Sequence, residues 1–147
     1  MRIAIGADHA GYEIKEAIRE HLLGLGHDIV DFGTDGTGSV DYPDHGAAVA
    51  RAVSSSDADR GFLVCGSGQG MTMVANRIRG IRAALAWSEE IARLSRLHND
   101  ANILCLPGRF LEARQALGIV DAWLATDFEG GRHARRVRKM MECEKEE

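Results

Sequence analysis

The run RGFLVCGSGQGM, residues 60–71, passes from unbroken apolar character into glycines at 66, 68 and 70. A short apolar run that stops at glycine is what a strand buried on both faces looks like, because helical crossovers cover a parallel sheet from either side. Four other runs share the form: RIAIG (2–6), HDIVDFG (27–33), IRAALAW (81–87) and ANILCL (101–106). The stretches between and after them have helical period. In GYEIKEAIREHLLGLG (11–26), Ile14, Ala17, Ile18 and Leu22 share a face, and Gly24 and Gly26 close the helix. GAAVARAVSSS (46–56) and LEARQALGIVDAWLATDF (111–128) are amphipathic, and GRHARRVRKMMECEKEE (131–147) reads as a further helix. SEEIARLSRLHN (88–99) opens on Ser88 as N-cap, with Glu89 and Glu90 at the positive end of the helix dipole. Strands alternating with helices of this length predict an α/β fold with an open parallel sheet. The 147 residues suit one domain, with a last helix and charged tail from around residue 130.

Composition narrows the function. Apolar residues make up 45% of the chain and recur throughout it, which excludes disorder. The 18 Lys and Arg against 22 Asp and Glu give a net charge of −4, the wrong sign for general nucleic-acid binding. The basic cluster RHARRVRK (132–139) is offset at once by ECEKEE. No apolar run approaches the roughly 20 residues of a membrane span, and the N-terminus lacks a signal-peptide core, so a cytoplasmic protein is expected. Three cysteines without a Cys-x-x-Cys pair, and no His-Glu-x-x-His, imply no metal.

Ligands of open parallel sheets sit in the loops after the strands, here ADHAG, GSGQG, WSEE and PGRF. The first loop has Walker-type glycine spacing, but Tyr12-Glu13 replace Lys-Ser/Thr, so an NTPase is excluded. Its Asp8 and His9 either face a ligand or cap and pack around the next helix. In the second loop, alternating glycines let several N–H groups converge as an anion nest, and that field favours an anionic sulfur at Cys65. The alternative is a buried cysteine serving as a small hydrophobe. A phosphocysteine mechanism needs Arg where Met71 stands. Proton abstraction beside a carbonyl needs no such arginine, only a thiolate base and donors for an enediolate. Cys105, inside an apolar strand, is expected to pack, and Cys143 lies among glutamates. His98 either caps a helix end or moves protons on a sugar oxygen. His21, His27 and His45 are assigned to surface or packing. Arg132 and Arg136 stand one helical turn apart despite mutual repulsion, which fits an anion against that face; pairing with Glu129 or Glu142 is the alternative. Arg109 can join the anion site through bidentate contact.

Collected in order, GADHAGYEIK, VDYPDHG, LVCGSGQGM, ANRIRGIRAAL, ARLSRLHNDANIL, PGR and FEGGRHARRV resemble the type-B ribose-5-phosphate isomerases over residues 3–137. The wider group includes the subunits of galactose-6-phosphate isomerase. The resemblance implies a Rossmann-like three-layer α/β/α sandwich around a five-stranded parallel sheet. It implies interconversion of D-ribose 5-phosphate and D-ribulose 5-phosphate without metal or cofactor. Cys65 would be the base, the N–H groups of Gly66, Ser67, Gly68, Gln69 and Gly70 with the Ser67 hydroxyl would hold the enediolate, and His98 would open the sugar ring. Asp8, His9, Tyr42 and Asn99 would contact sugar hydroxyls; Arg109, Arg132 and Arg136, assisted by His133, would bind the phosphate. It further implies a homodimer or homotetramer with sites between subunits. A 6-phosphorylated hexose (galactose or allose) is the alternative substrate, and a non-catalytic sugar-phosphate binding module the alternative from another class.

Overall fold

The computed structural model describes residues 1–145. All five apolar runs form strands: β1 (Arg2–Ala7), β2 (Asp28–Asp31), β3 (Arg60–Cys65), β4 (Ala83–Leu85) and β5 (Ile103–Pro107). They pair in parallel in the order β2-β1-β3-β5-β4. Six α-helices accompany them: α1 (Tyr12–Gly24), α2 (Tyr42–Ser54), α3 (Gln69–Ala75), α4 (Glu89–Asn99), α5 (Ala113–Leu124) and α6 (Arg132–Glu142). Single 3-10 turns occupy Gly108–Phe110 and Cys143–Lys145.

Side chains of a strand alternate between faces, and here both faces are covered. Ile3, Ile5, Phe62, Val64, Leu104 and Leu106 point to the side packed by α1, α4 and α5. Ala4, Leu63, Cys65, Ile103 and Cys105 point to the side packed by α2 and α3. The result is the expected three-layer sandwich. Trp123 of α5 is fully buried on the first side, edge-on to Phe62 with ring centroids 5.1 Å apart, and its indole N–H donates to Ser95 Oγ at 3.1 Å. A buried indole needs such a partner.

Several element limits differ from the sequence expectation. Helix α2 begins at Tyr42 rather than at residue 46, with Pro43 in its first turn, where a missing N–H costs nothing. The edge strand β4 holds only three residues of the expected 81–87, all half-buried. Helix α5 starts after a capping box of Glu112 and Gln115, and it ends at Leu124 rather than at 128. Helix α6 ends at Glu142 and passes into the 3-10 turn; residues 146–147 of the expected helix lie outside the described residues. Ser88 caps α4 as expected, accepting the Ile91 N–H at 3.2 Å. No helix among the described residues is long and apolar enough to cross a membrane.

Candidate active site

Strands β1 and β3 are neighbours, yet α1 leaves toward one face and α3 toward the other. That divergence opens a crevice at the carboxyl ends of the strands. The Asp8 N–H donates to the Val64 carbonyl at 3.2 Å, so the first loop lies across the end of β3. A side chain at Gly11 would collide with that same carbonyl, which is why the approach requires glycine. The Asp8 carboxylate accepts the N–H groups of Ala10 and Gly11 at 3.0 and 3.1 Å. It therefore shapes the turn, while Gly11 takes the N-cap position of α1 with no side-chain cap. His9 Nδ1 accepts the Val40 N–H at 3.2 Å, tying the loop after β2 to the first loop. That loop leads to Tyr42, whose ring lies so close to Gly70 that a Cβ there would stand 2.5 Å from Cε1.

Cys65 is the last residue of β3, opposite Pro107, and only 5% exposed. The next residue, Gly66, accepts the Arg109 N–H at 3.0 Å. The Arg109 guanidinium covers it, with Nη1 3.1 Å from where a Cβ would be. Gly68 adopts φ 76°, a left-handed conformation that lets the chain turn into α3. The turn is held by Thr72, whose hydroxyl donates to the Gly68 carbonyl at 2.7 Å. Ser67 Oγ accepts the Gln69 N–H at 3.4 Å. Cys105, on the adjacent strand, is fully buried; burial pushes its thiol up to about 12, and this sulfur serves packing as expected.

The remaining candidates gather elsewhere. Helix α4 starts beyond the carboxyl end of β4 and runs back, so His98 and Asn99 lie just before β5 begins. The His98 and His133 rings stack at 4.3 Å with 13° between their planes. Glu129 Oε2 lies 4.0 Å from His98 Nε2 and 3.8 Å from His133 Nε2. His133 is 6% exposed, and its Nε2 has no hydrogen-bond partner. Burial holds its pKa below the ordinary histidine value, the neighbouring His98 adds to this, and Glu129 opposes it. A cavity of about 280 Å³ is lined by His98, Asn99, His133, Arg136, Val137 and Met140. Arg132, exposed, opens α6 one turn before Arg136. No carboxylate pairs with Arg109, Arg132 or Arg136 among the described residues.

Two groups result: Asp8, His9, Tyr42, Cys65, the glycine loop and Arg109 at the carboxyl end; His98, Asn99, Arg132, His133 and Arg136 at the amino end. The register Gly61↔Ile103 to Cys65↔Pro107 spans four residue steps along the strands, about 13 Å. His98, at the end of α4, lies on the amino-end side of the sheet, opposite Cys65. Sequence reading missed the place of Glu129, weighed only as an arginine partner, although its spacing of four from His133 carries that signal. It also missed Thr72, whose role depends on how the chain turns. Of the two roles weighed for His98, no bond to a helix-end carbonyl is seen among the described residues, and its ring stacks on His133 of α6.

Fold and site together define a doubly covered α/β protein with a crevice at the carboxyl ends of β1 and β3, where Cys65, a glycine loop and Arg109 come together. Residues 3–140 match the model of the Ribose/Galactose Isomerase family, and the chain belongs to that family. Ribose-5-phosphate isomerase B of Clostridium thermocellum is 52% identical, with a TM-score of 0.97 over 99% of this chain and 98% of that one. The Mycoplasma genitalium ribose-5-phosphate isomerase B, solved with bound ribulose-5-phosphate, is 44% identical, with a TM-score of 0.94 over 99% of this chain and 97% of that one. The Escherichia coli K12 ribose-5-phosphate isomerase B is 41% identical over 143 residues, 97% of this chain and 96% of its own length.

Proposed function

We propose that this protein is an aldose–ketose isomerase that interconverts D-ribose 5-phosphate and D-ribulose 5-phosphate, with Cys65 as the base. The carrying observation is the position of Cys65, at the end of β3 where the glycine loop begins, one residue from the peptide that Arg109 covers. The relative solved with ribulose-5-phosphate, alike over 99% of this chain, supports the choice of sugar. His98 first takes the proton of the anomeric hydroxyl and delivers it to the ring oxygen, opening the sugar. The Cys65 thiolate then removes the C2 proton, and negative charge develops on O1. N–H groups of residues 66–70 and the Ser67 hydroxyl stabilise that oxygen, the usual role of fixed donors around a developing oxyanion. The thiol returns the proton to C1 as the hydroxyl proton passes from O2 to O1. Arg109, Arg132 and Arg136 hold the phosphate, away from the bonds that change.

Because His98 and Cys65 occupy opposite ends of the sheet, one active site takes its carboxyl-end group from one copy and its amino-end group from a second. A two-fold axis makes two such sites at once. Trp87 and Phe110, at the carboxyl end, are more than half exposed, Phe110 by 74%, and would be covered by that second copy.

An assay with ribose 5-phosphate and allose 6-phosphate tests this reading. Cys65→Ala is expected to lower kcat by two or more orders of magnitude, roughly one general-base contribution. Arg136→Ala is expected chiefly to raise KM, since the phosphate lies remote from the chemistry. Preference for the hexose phosphate would change the substrate assignment. Unchanged behaviour of a folded Cys65→Ala protein would replace the enzyme with a sugar-phosphate binding module.

A further inference from the structure

His98, Glu129 and His133 offer two imidazole nitrogens and a carboxylate oxygen that all lie within 4.8 Å of one another. Isomerisation by Cys65 needs a proton-moving group at His98, and the family resemblance gives His133 a part in holding the phosphate, but neither role needs Glu129. Both Nε2 atoms face the same oxygen, Glu129 Oε2, at 4.0 and 3.8 Å, too far for hydrogen bonds. His133 Nε2 is buried with no hydrogen-bond partner among the described residues, and a buried polar atom in that condition is costly unless something binds it. A tetrahedral ion with bonds of about 2.0–2.1 Å keeps its ligand atoms about 3.4 Å apart. The two measured separations exceed that by about half an ångström. Glu129 and His98 are exposed enough to close the gap by side-chain rotation, and His98 must also turn out of its 13° stack on His133, because a ring nitrogen's lone pair lies in the ring plane.

We propose that His98, Glu129 and His133 bind a divalent first-row transition metal, zinc foremost, and that the bound ion shuts down the isomerase. Two imidazoles and one carboxylate are the ligand types that zinc takes with three protein donors, leaving a fourth position for water. Both histidines line the cavity of about 280 Å³ beside Asn99 and Arg136, which has room for that water. Nitrogen and oxygen donors without sulfur also suit cobalt(II) and nickel(II), so selectivity rests on availability of the metal. Metal on His98 ties up the imidazole that would open the sugar ring, so inhibition rests on the functional reading above while binding does not.

The full-length protein is titrated with zinc in competition with a chromophoric chelator, without sugar. One ion per chain is expected, weakened at least about tenfold by Glu129→Ala, since even groups supporting a metal ligand contribute that much. His27→Ala, far from the cluster, leaves it unchanged. Cobalt(II) in place of zinc is expected to give the visible bands of tetrahedral nitrogen and oxygen ligation. A near-ultraviolet sulfur-to-metal charge-transfer band would assign the ion to a cysteine and overturn the site, as would absence of binding or equal affinity of Glu129→Ala. In the isomerase assay zinc is expected to abolish turnover, a chelator to restore it, and Glu129→Ala to require at least tenfold more zinc. Zinc bound at this cluster with turnover intact overturns the inhibition. No turnover before any metal is added counts against the isomerase reading alone.

Discussion

Cys65, Cys105 and Cys143 carry the same thiol into three settings. The Cys105 sulfur, raised to about 12 by burial, has roughly one thiolate in ten thousand at pH 8, and protein covers it as well. Cys143 is exposed on the 3-10 turn after α6, its thiol donating to the Lys139 carbonyl at 3.5 Å. Iodoacetamide at pH 8 is therefore expected to label Cys143 quickly and to leave Cys105 untouched until the protein unfolds, as peptide mass spectrometry can read. Mild peroxide is expected to yield no Cys65–Cys105 disulfide. Those residues are diagonal neighbours on adjacent parallel strands, with Cα atoms about 8 Å apart, and a disulfide spans at most about 7 Å. The packing role of Cys105 was legible from its apolar run. The depth at which Cys65 is buried was not, because it depends on which helices cover that end of β3.

The end of helix α4 is fixed by more than its own sequence. Arg96, 5% exposed, donates to the Ala101 carbonyl at 2.7 Å, the Asp100 carboxylate at 2.9 Å and the Thr126 carbonyl at 3.1 Å. Asp100 takes a left-handed conformation, φ 48°, and its own carbonyl accepts from Arg82 Nε at 2.7 Å. The Glu129 N–H completes the tie by donating to the Leu97 carbonyl at 3.1 Å. One arginine thus binds the turn bearing His98 and Asn99 to the segment bearing Glu129. Arg96→Ala strands carbonyls and removes a charge-assisted bond, an expected loss of about 2–3 kcal/mol in urea unfolding, with kcat lowered by displacement of His98. Arg96→Lys should recover part of the stability only, because an ammonium cannot reproduce the planar fork. Sequence reading found α4 because Ser88 caps it and its apolar period is clear. It started α2 four residues late because Tyr42, Pro43, Asp44 and His45 present no apolar stripe, and apolar character begins only after Gly46. The clamp around Arg96 joins residues 96, 100, 101 and 126, a convergence that periodicity does not encode.

Over the whole molecule, every strand and the covering of both faces could be read from where apolar runs stop and helical period resumes. The candidate residues were legible individually, from their motifs. Their separation was not, since it follows from α4 running antiparallel to β4 and delivering His98 to the amino end, opposite Cys65. If two copies pair and share each site, as proposed above, the pairing makes a sharp demand on two defective chains. Cys65→Ala and His98→Ala proteins should each be nearly inactive alone. When they are mixed, unfolded and refolded together, half of the dimers pair one of each. In such a mixed dimer one site lacks both groups, while the other joins the intact Cys65 of one chain to the intact His98 of its partner. Activity is then expected to return to about one quarter of the wild-type value per chain, as two-fold pairing requires. If Cys65 and His98 instead served the same sugar within one chain, every site in the mixture would lack one of them. The refolded mixture would then stay as inactive as its parents, and a site shared between copies would have to be abandoned.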